Sequence, residues 1–258
     1  MRGKVLLLRR GTLLLILTAL VAAGIFMAVG GPSFVSASAA KRQLPIYSVE
    51  REEKVCAISF DAAWGNEDTQ ALIDILGKYN VKATFFVVGD WVDKYPESVK
   101  ALHDAGHEVM NHSLHHDHYN ALTADQVVAD VTACNEKIAA ITGVTPCLIR
   151  CPYGEYDDHV ISAIRSMGME PIQWDVDSLD WKDYDADTIC QRVTSKLSPG
   201  SIVLFHNAAL HTPEALPAIL DHMAREGYSL LPISQLIHRE NYTIDHAGRQ
   251  FCQAQSEQ

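Results

Sequence analysis

The sequence predicts an α/β fold: seven strand–helix units building a parallel sheet that curls into a barrel, preceded by an N-terminal apolar helix. Three observations carry this. From Val55 onward, short apolar runs alternate with turns and amphipathic stretches. The runs are apolar on both faces, as strands are when helices cover a parallel sheet on both sides. Their number, seven, favours a barrel over an open sheet.

Thr12 to Gly30 is almost wholly apolar and follows Arg9 and Arg10. About 20 such residues span a bilayer, and the preceding cations keep that end cytoplasmic. Ala37-Ser38-Ala39 before Ala40 also has the small-residue form of a signal-peptidase site. Residues 1–40 are therefore expected to be a signal-anchor or a cleaved signal peptide. Either way the body is exported, as a single-pass membrane protein with an extracytoplasmic domain or as a secreted one. Residues 41–54 read as a charged linker.

The strand-like runs are Cys56–Phe60, Ala83–Val88, His107–Met110, Cys147–Arg150, Pro171–Trp174, Ile202–Phe205 and Tyr228–Leu231. Between them, Glu67–Asn80 places Ala71, Leu72, Ile75, Leu76 and Tyr79 on one helical face. Thr123 is the N-cap of a helix running to about Ile141. Tyr156–Met167 and Pro213–Glu226 are two more helices. Gly77, Gly106, Gly143, Gly168 and Gly227 fall where left-handed C-caps are expected. The polar stretch 239–258 reads as a peripheral tail, with Phe251 and Cys252 as its docking candidates.

The formal net charge is −11, and the first 40 residues hold four cations and no acid, so the rest carries −15. Such a body repels phosphate backbones, which argues against nucleic-acid binding. There is no glycine-rich phosphate loop, so no nucleotide is expected either. Six cysteines permit disulfides in an exported chain, but their spacing fixes no pairing and no zinc ribbon.

Ionisable residues follow the strand runs: Asp61 the first, His112, His115 and His116 the third, Arg150 the fourth, Asp175, Asp177 and Asp180 the fifth, His206 the sixth. In a β/α barrel these positions share the rim where active sites lie. Helix capping accounts for Asp61 or Asp180 alone, but poorly for the whole set. Residues 111–118 hold four histidines, a density that favours metal binding, and neutral imidazole suits zinc, cobalt or nickel over calcium or magnesium. Asp61 is either a helix cap or a general base. Arg150 is a fixed cation before a turn whose N–H groups can face an oxyanion. His206 stands where a general acid belongs, and Trp181 offers a flat wall for a sugar ring.

With these residues in view, the body resembles the polysaccharide deacetylases of the NodB-homology type, carbohydrate esterase family 4, over roughly residues 55–238. Five motifs occur in family order. They are Ser59-Phe60-Asp61-Ala62-Ala63-Trp64-Gly65, His112-Ser113 with His116, Arg150 to Gly154, Asp177 to Trp181, and Leu204 with His206. The first is similar to the Phe-Asp-x-x-Trp-Gly form of spore-associated members. The resemblance implies a distorted β/α barrel and metal-assisted removal of N-acetyl groups from an amino-sugar glycan, cell-wall peptidoglycan or a chitin-like polymer.

It also implies roles. His112 and His116 hold a divalent metal, zinc in the first place, and Asp61 takes the proton of the attacking water. Arg150 keeps Asp61 ionised. The Tyr153 N–H holds the oxyanion, Leu204 lines the methyl pocket and Trp181 meets the sugar. His206, oriented by Asp180, protonates the leaving amine. One position departs from the pattern: Ala62 stands where the family has a second aspartate, the third metal ligand. Asp117, His118 or Asp61 can fill the place, the metal can bind weakly, or the chain has lost catalysis and kept glycan binding. An amidase acting on a different small substrate is a further alternative.

Overall fold

The structure is a computed structural model and describes residues 42–253. The apolar run Thr12–Gly30 lies outside them. Among the described residues no helix is long and apolar enough to cross a membrane.

In chain order the elements are β1 (Ser48–Val49), β2 (Val55–Ala62), α1 (Thr69–Lys78), β3 (Thr84–Val87), α2 (Gly89–Lys94), α3 (Pro96–Asp104), β4 (Glu108–Asn111), α4 (Ala124–Thr142), β5 (Leu148–Ile149), α5 (Asp158–Ser166) and β6 (Glu170–Pro171). Then come β7 (Val176–Asp177), α6 (Ala186–Thr194), β8 (Ile202–His206), α7 (Thr212–Arg225), β9 (Ser229–Leu230), α8 (Ile233–Leu236), β10 (Tyr242–Ile244) and β11 (Arg249–Cys252). The main sheet runs β6-β5-β4-β3-β2-β8-β7, parallel throughout. It curls, but its end strands β6 and β7 are not paired with each other, so it is a distorted, unclosed barrel.

The seven-strand count is reached differently from the sequence expectation. Tyr228–Leu231 supplies β9, which pairs only with the start of β2. The seventh strand of the path is β7, which follows β6 with no helix between them. Val176 of β7 stands alone between Asp175 and Asp177, so no apolar run marks the strand.

Strand pleating sorts the two sides of the sheet. Cys56, Ile58, Phe60 and Ala62 of β2 join the core shared with helix residues such as Leu72, Leu76 and Ile219. Ala57 packs in the other cluster with Phe86, Met110, Leu148 and Ile202. Ser59 and Asp61 share the pleat face of Ala57, and so face the barrel interior. Phe60 stacks on Phe85 at 4.7 Å and on Phe205 at 5.5 Å, tying the three central strands together.

The long helix α4 starts on a capping box, Thr123 with Gln126, and ends at Gly143 with φ 72°. Gly77 does not end α1. It lies within the helix, and Asn80 takes the left-handed conformation instead, at φ 54°.

The described residues of the expected linker and tail, 42–54 and 239–253, are parts of the folded body. Ile46 and Val49 are fully buried. The Ile46 N–H donates to the Pro171 carbonyl and the Val49 N–H to that of Gly200, so this segment runs from the β6 edge to the start of β8. A Cβ on Gly200 would lie 1.7 Å from the Val49 carbonyl oxygen, so only glycine fits. β10 and β11 form a hairpin, and β11 pairs with β1. Two isolated apolar residues in a charged stretch give no periodicity, which is why the sequence hides this closure.

Candidate active site

The C-terminal ends of the strands surround a cavity of about 440 Å³ whose lining includes Asp61, His112, His116, Tyr153, Trp181 and His206. Leu204 lines it as well. Arg150 lies beneath, fully buried. The predicted residues thus reach one mouth from β2, β4, β5, β7 and β8. Among the described residues, five of the eight non-glycine residues with positive φ flank this region: Ser113, His116, Tyr153, Leu179 and Ala208. Such strained backbone persists where surrounding structure holds it, and it concentrates at functional sites.

Asp61 sits at the end of β2, in register with His206. Arg150 Nη1 donates to its Oδ1 at 2.6 Å. Arg150 Nη2 donates to Ser59 Oγ at 2.9 Å and to the Gln173 carbonyl at 3.2 Å. The guanidinium also lies 4.3 Å over the Phe86 ring. Burial alone would push the Asp61 carboxyl up, but the charges of Arg150, His112 and His206 outweigh it and hold the group below the ordinary carboxylate range.

His112 Nδ1 lies 2.7 Å from the Arg150 carbonyl oxygen. Only a ring N–H satisfies that acceptor, so the lone pair belongs to Nε2, which lies 3.6 Å from Asp61 Oδ2. The His116 ring stands 5.0 Å from the His112 ring, edge-on. Ser113 Oγ accepts the His116 N–H, and Asn111 Oδ1 accepts that of Ser113, so the loop is anchored from below. Burial favours the neutral form of both imidazoles: His112 is lowered, and His116 is lowered to about 4. The other two histidines of the tract turn away. His115 pairs with Asp90, and His118 pairs with Glu155 and stacks on Tyr153 at 4.1 Å.

Two neutral imidazoles with an open lone pair suit a transition metal. A catalytic zinc normally takes three protein ligands. Ala62 is packed in the strand–helix core and offers none, and Asp117 and His118 do not join the pair. Among the described residues no three His, Cys, Asp or Glu side chains stand at metal-holding spacing. The residues present therefore do not complete the three-ligand site.

The opposite side of the mouth is fully built. Asp180, completely buried, accepts His206 Nδ1–H at 2.7 Å, the His206 N–H at 2.8 Å, Thr212 Oγ–H at 2.7 Å and the Trp181 N–H at 3.0 Å. Burial pulls the His206 imidazole down, but the bond to Asp180 and its charge prevail and raise it. Two buried residues here carried almost no sequence signal. Thr212 braces Asp180. Asn207 accepts the Ala63 N–H and donates to the Trp64 and Gly65 carbonyls. Its place directly after His206 was the only hint of it. All six cysteines are free thiols, so no disulfide bears on the site.

The arrangement joins a buried carboxylate–guanidinium pair, an imidazole pair and a carboxylate-oriented histidine, and comparison with known proteins assigns it a family. The polysaccharide deacetylase profile matches residues 48–172. The chain is 30% identical over 202 residues to peptidoglycan-N-acetylmuramic acid deacetylase PdaA of Bacillus subtilis, covering 77% of each chain's length. It is 34% identical over 189 residues to PdaC of the same organism, covering 73% of this chain and 40% of PdaC. Among solved structures, BA3943 of Bacillus anthracis, a CE4 family pseudoenzyme, superposes with a TM-score of 0.73 at 34% identity, over 76% of this chain and 69% of that one. The chain belongs to the polysaccharide deacetylase family, in the NodB-type carbohydrate esterase group. It spans less than two thirds of the length of several relatives, 40% in the case of PdaC.

Proposed function

We propose that this protein hydrolyses the N-acetyl group of an amino sugar in a cell-wall glycan. The observation that carries the reading is the convergence of two prepared proton-transfer groups, Asp61 with Arg150 and His206 with Asp180, on one aromatic-lined cavity. Asp61, kept ionised by Arg150, removes a proton from the attacking water. The Tyr153 N–H faces the developing oxyanion and Leu204 meets the acetyl methyl. His206 gives its proton to the departing amine as the C–N bond breaks, leaving acetate and a free amino sugar. Trp181 supports the sugar ring.

A carboxylate held below its ordinary range is a weaker base than a free one. The residues for a divalent metal, zinc in the first place, are His112 and His116. They supply two of the usual three protein ligands, and no step here is routed through a metal. The sequence run Thr12–Gly30 behind Arg9 and Arg10 supports placement outside the cytoplasm, anchored to the membrane or released by cleavage.

A second reading, glycan binding without catalysis, is favoured by the incomplete ligand set around Ala62. Acetate release from N-acetylglucosamine oligomers and from peptidoglycan, with zinc or cobalt added, separates the two. Release is expected, and His206→Ala lowers kcat by roughly 10²–10⁴-fold with the fold intact. Binding of these glycans without release supports the second reading. Neither release nor binding overturns both.

A further inference from the structure

The geometry points to Trp64 as a platform for the neutral sugar ring next to the one being deacetylated, an inference that rests on the glycan reading above. Five large apolar side chains among the described residues are strongly exposed, and three of them, Trp64, Tyr153 and Trp181, line the one cavity. Tyr153 and Trp181 belong to motifs with roles at the reacting sugar. Trp64 lies in the first motif with Asp61 but has no role assigned to its own side chain, yet it is 64% exposed.

Its exposure is not that of a loose loop. Asn207 Nδ2 donates to the Trp64 carbonyl at 2.5 Å and to the Gly65 carbonyl at 2.8 Å, and Trp91 Nε1 donates to the Gly65 carbonyl at 2.5 Å. Asn207 and Trp91 are buried. Gly65 itself has φ 55°, and a Cβ there would meet the Glu67 carboxylate at 2.4 Å. The backbone is thus fixed from beneath while a large indole is held in water, a costly arrangement unless a ligand covers it. The indole meets His116 edge-on at 5.3 Å, so it borders the reacting groups without filling the cavity. The cavity lining contains no lysine or arginine. A planar aromatic wall with no cation suits the C–H face of an uncharged hexosamine better than a carboxylate-bearing one.

The test compares wild-type full-length protein with Trp64→Ala, Trp64→Phe and the remote control Val144→Ala, using the N-acetylglucosamine monomer and tetramer. Tetramer Kd by titration calorimetry, and KM where acetate is released, are expected to rise roughly 5- to 10-fold in Trp64→Ala. Monomer binding, and kcat within about twofold, stay unchanged. Trp64→Phe keeps most of the affinity and Val144→Ala keeps all of it. Equal losses for monomer and tetramer, or a fall in kcat at constant KM, overturn the inference and make Trp64 a support for His116. So does an unchanged tetramer Kd. A wild type that binds neither sugar overturns the glycan reading and this inference together, whereas wild-type binding that survives Trp64→Ala overturns this inference alone.

Discussion

The two sides of the mouth are built to different degrees. On the β7–β8 side, every acceptor site that matters is filled: Asp180 takes four donors, two from His206 itself, and the imidazole is held in one tautomer and one orientation. On the β4 side, His112 is equally well anchored through the Arg150 carbonyl, but among the described residues the histidine pair is joined by no third donor. Anchoring and completeness are therefore separate properties. Hydrogen bonds to backbone can preserve a ligand's aim even where the ligand set is short. Arg150 serves both sides, with its guanidinium on Asp61 and its carbonyl on His112.

Removing that shared residue is the largest expected perturbation. Arg150→Met leaves the Asp61 carboxylate buried without a cation, a loss of about 3–5 kcal/mol of stability, read as a lower urea midpoint. Asp61→Asn in the same chain recovers most of it, because no charge is then stranded. The pH dependence has a definite sign. Asp61 is held below the ordinary carboxylate value, so its contribution is present above that value and fades as pH falls through the folded-state one. In Arg150→Met this acid-side loss disappears. If stability falls by less than 1 kcal/mol, Arg150 does not tie the two sides together.

Completing the short side is the next test. Ala62→Asp places a carboxylate at a position that is 1% exposed and packed against helix residues. In chelator it costs roughly 1–3 kcal/mol, the penalty of an unpartnered buried polar group. Family resemblance puts the third ligand at this position, so zinc is expected to restore the lost Tm and to bind with higher affinity than in the wild type. If zinc restores neither, the pleat of β2 keeps residue 62 turned to the helices, and the two imidazoles are not one substitution short of a metal site.

How much of this was legible in the sequence follows the same division. Asp61, Arg150 and His206 lie at the ends of apolar runs long enough to read as strands, so their common rim followed from strand direction alone. Choosing His112 and His116 from four histidines needed the family motif, because φ values near 60–73° at Ser113 and His116 set which rings converge, and no periodicity encodes them. β7 and the pairing of Ile46–Val49 with the C-terminal hairpin were hidden for another reason. Ile46–Val49 pairs with residues far along the chain, and every element involved, β7 included, is only a few residues long. Thr212 acts through one side-chain hydrogen bond and Asn207 through three, all to residues far away in sequence, which leave no pattern in either neighbourhood.

The smallest effect expected tests how far the filled side depends on its outermost brace. Thr212 is fully buried, and its hydroxyl is one of two donors to Asp180 Oδ2. Thr212→Val keeps the volume and removes the donor, a loss of about 1 kcal/mol. Thr212→Ser keeps the donor and removes a methyl. If Thr212 acts by positioning Asp180, the valine variant lowers kcat several-fold at constant KM and the serine variant restores it. If it acts only as packing, the order reverses in thermal stability and neither variant moves kcat. The first outcome makes the orientation of His206 a property of the whole four-donor cluster. The second confines it to the direct bond between His206 and Asp180.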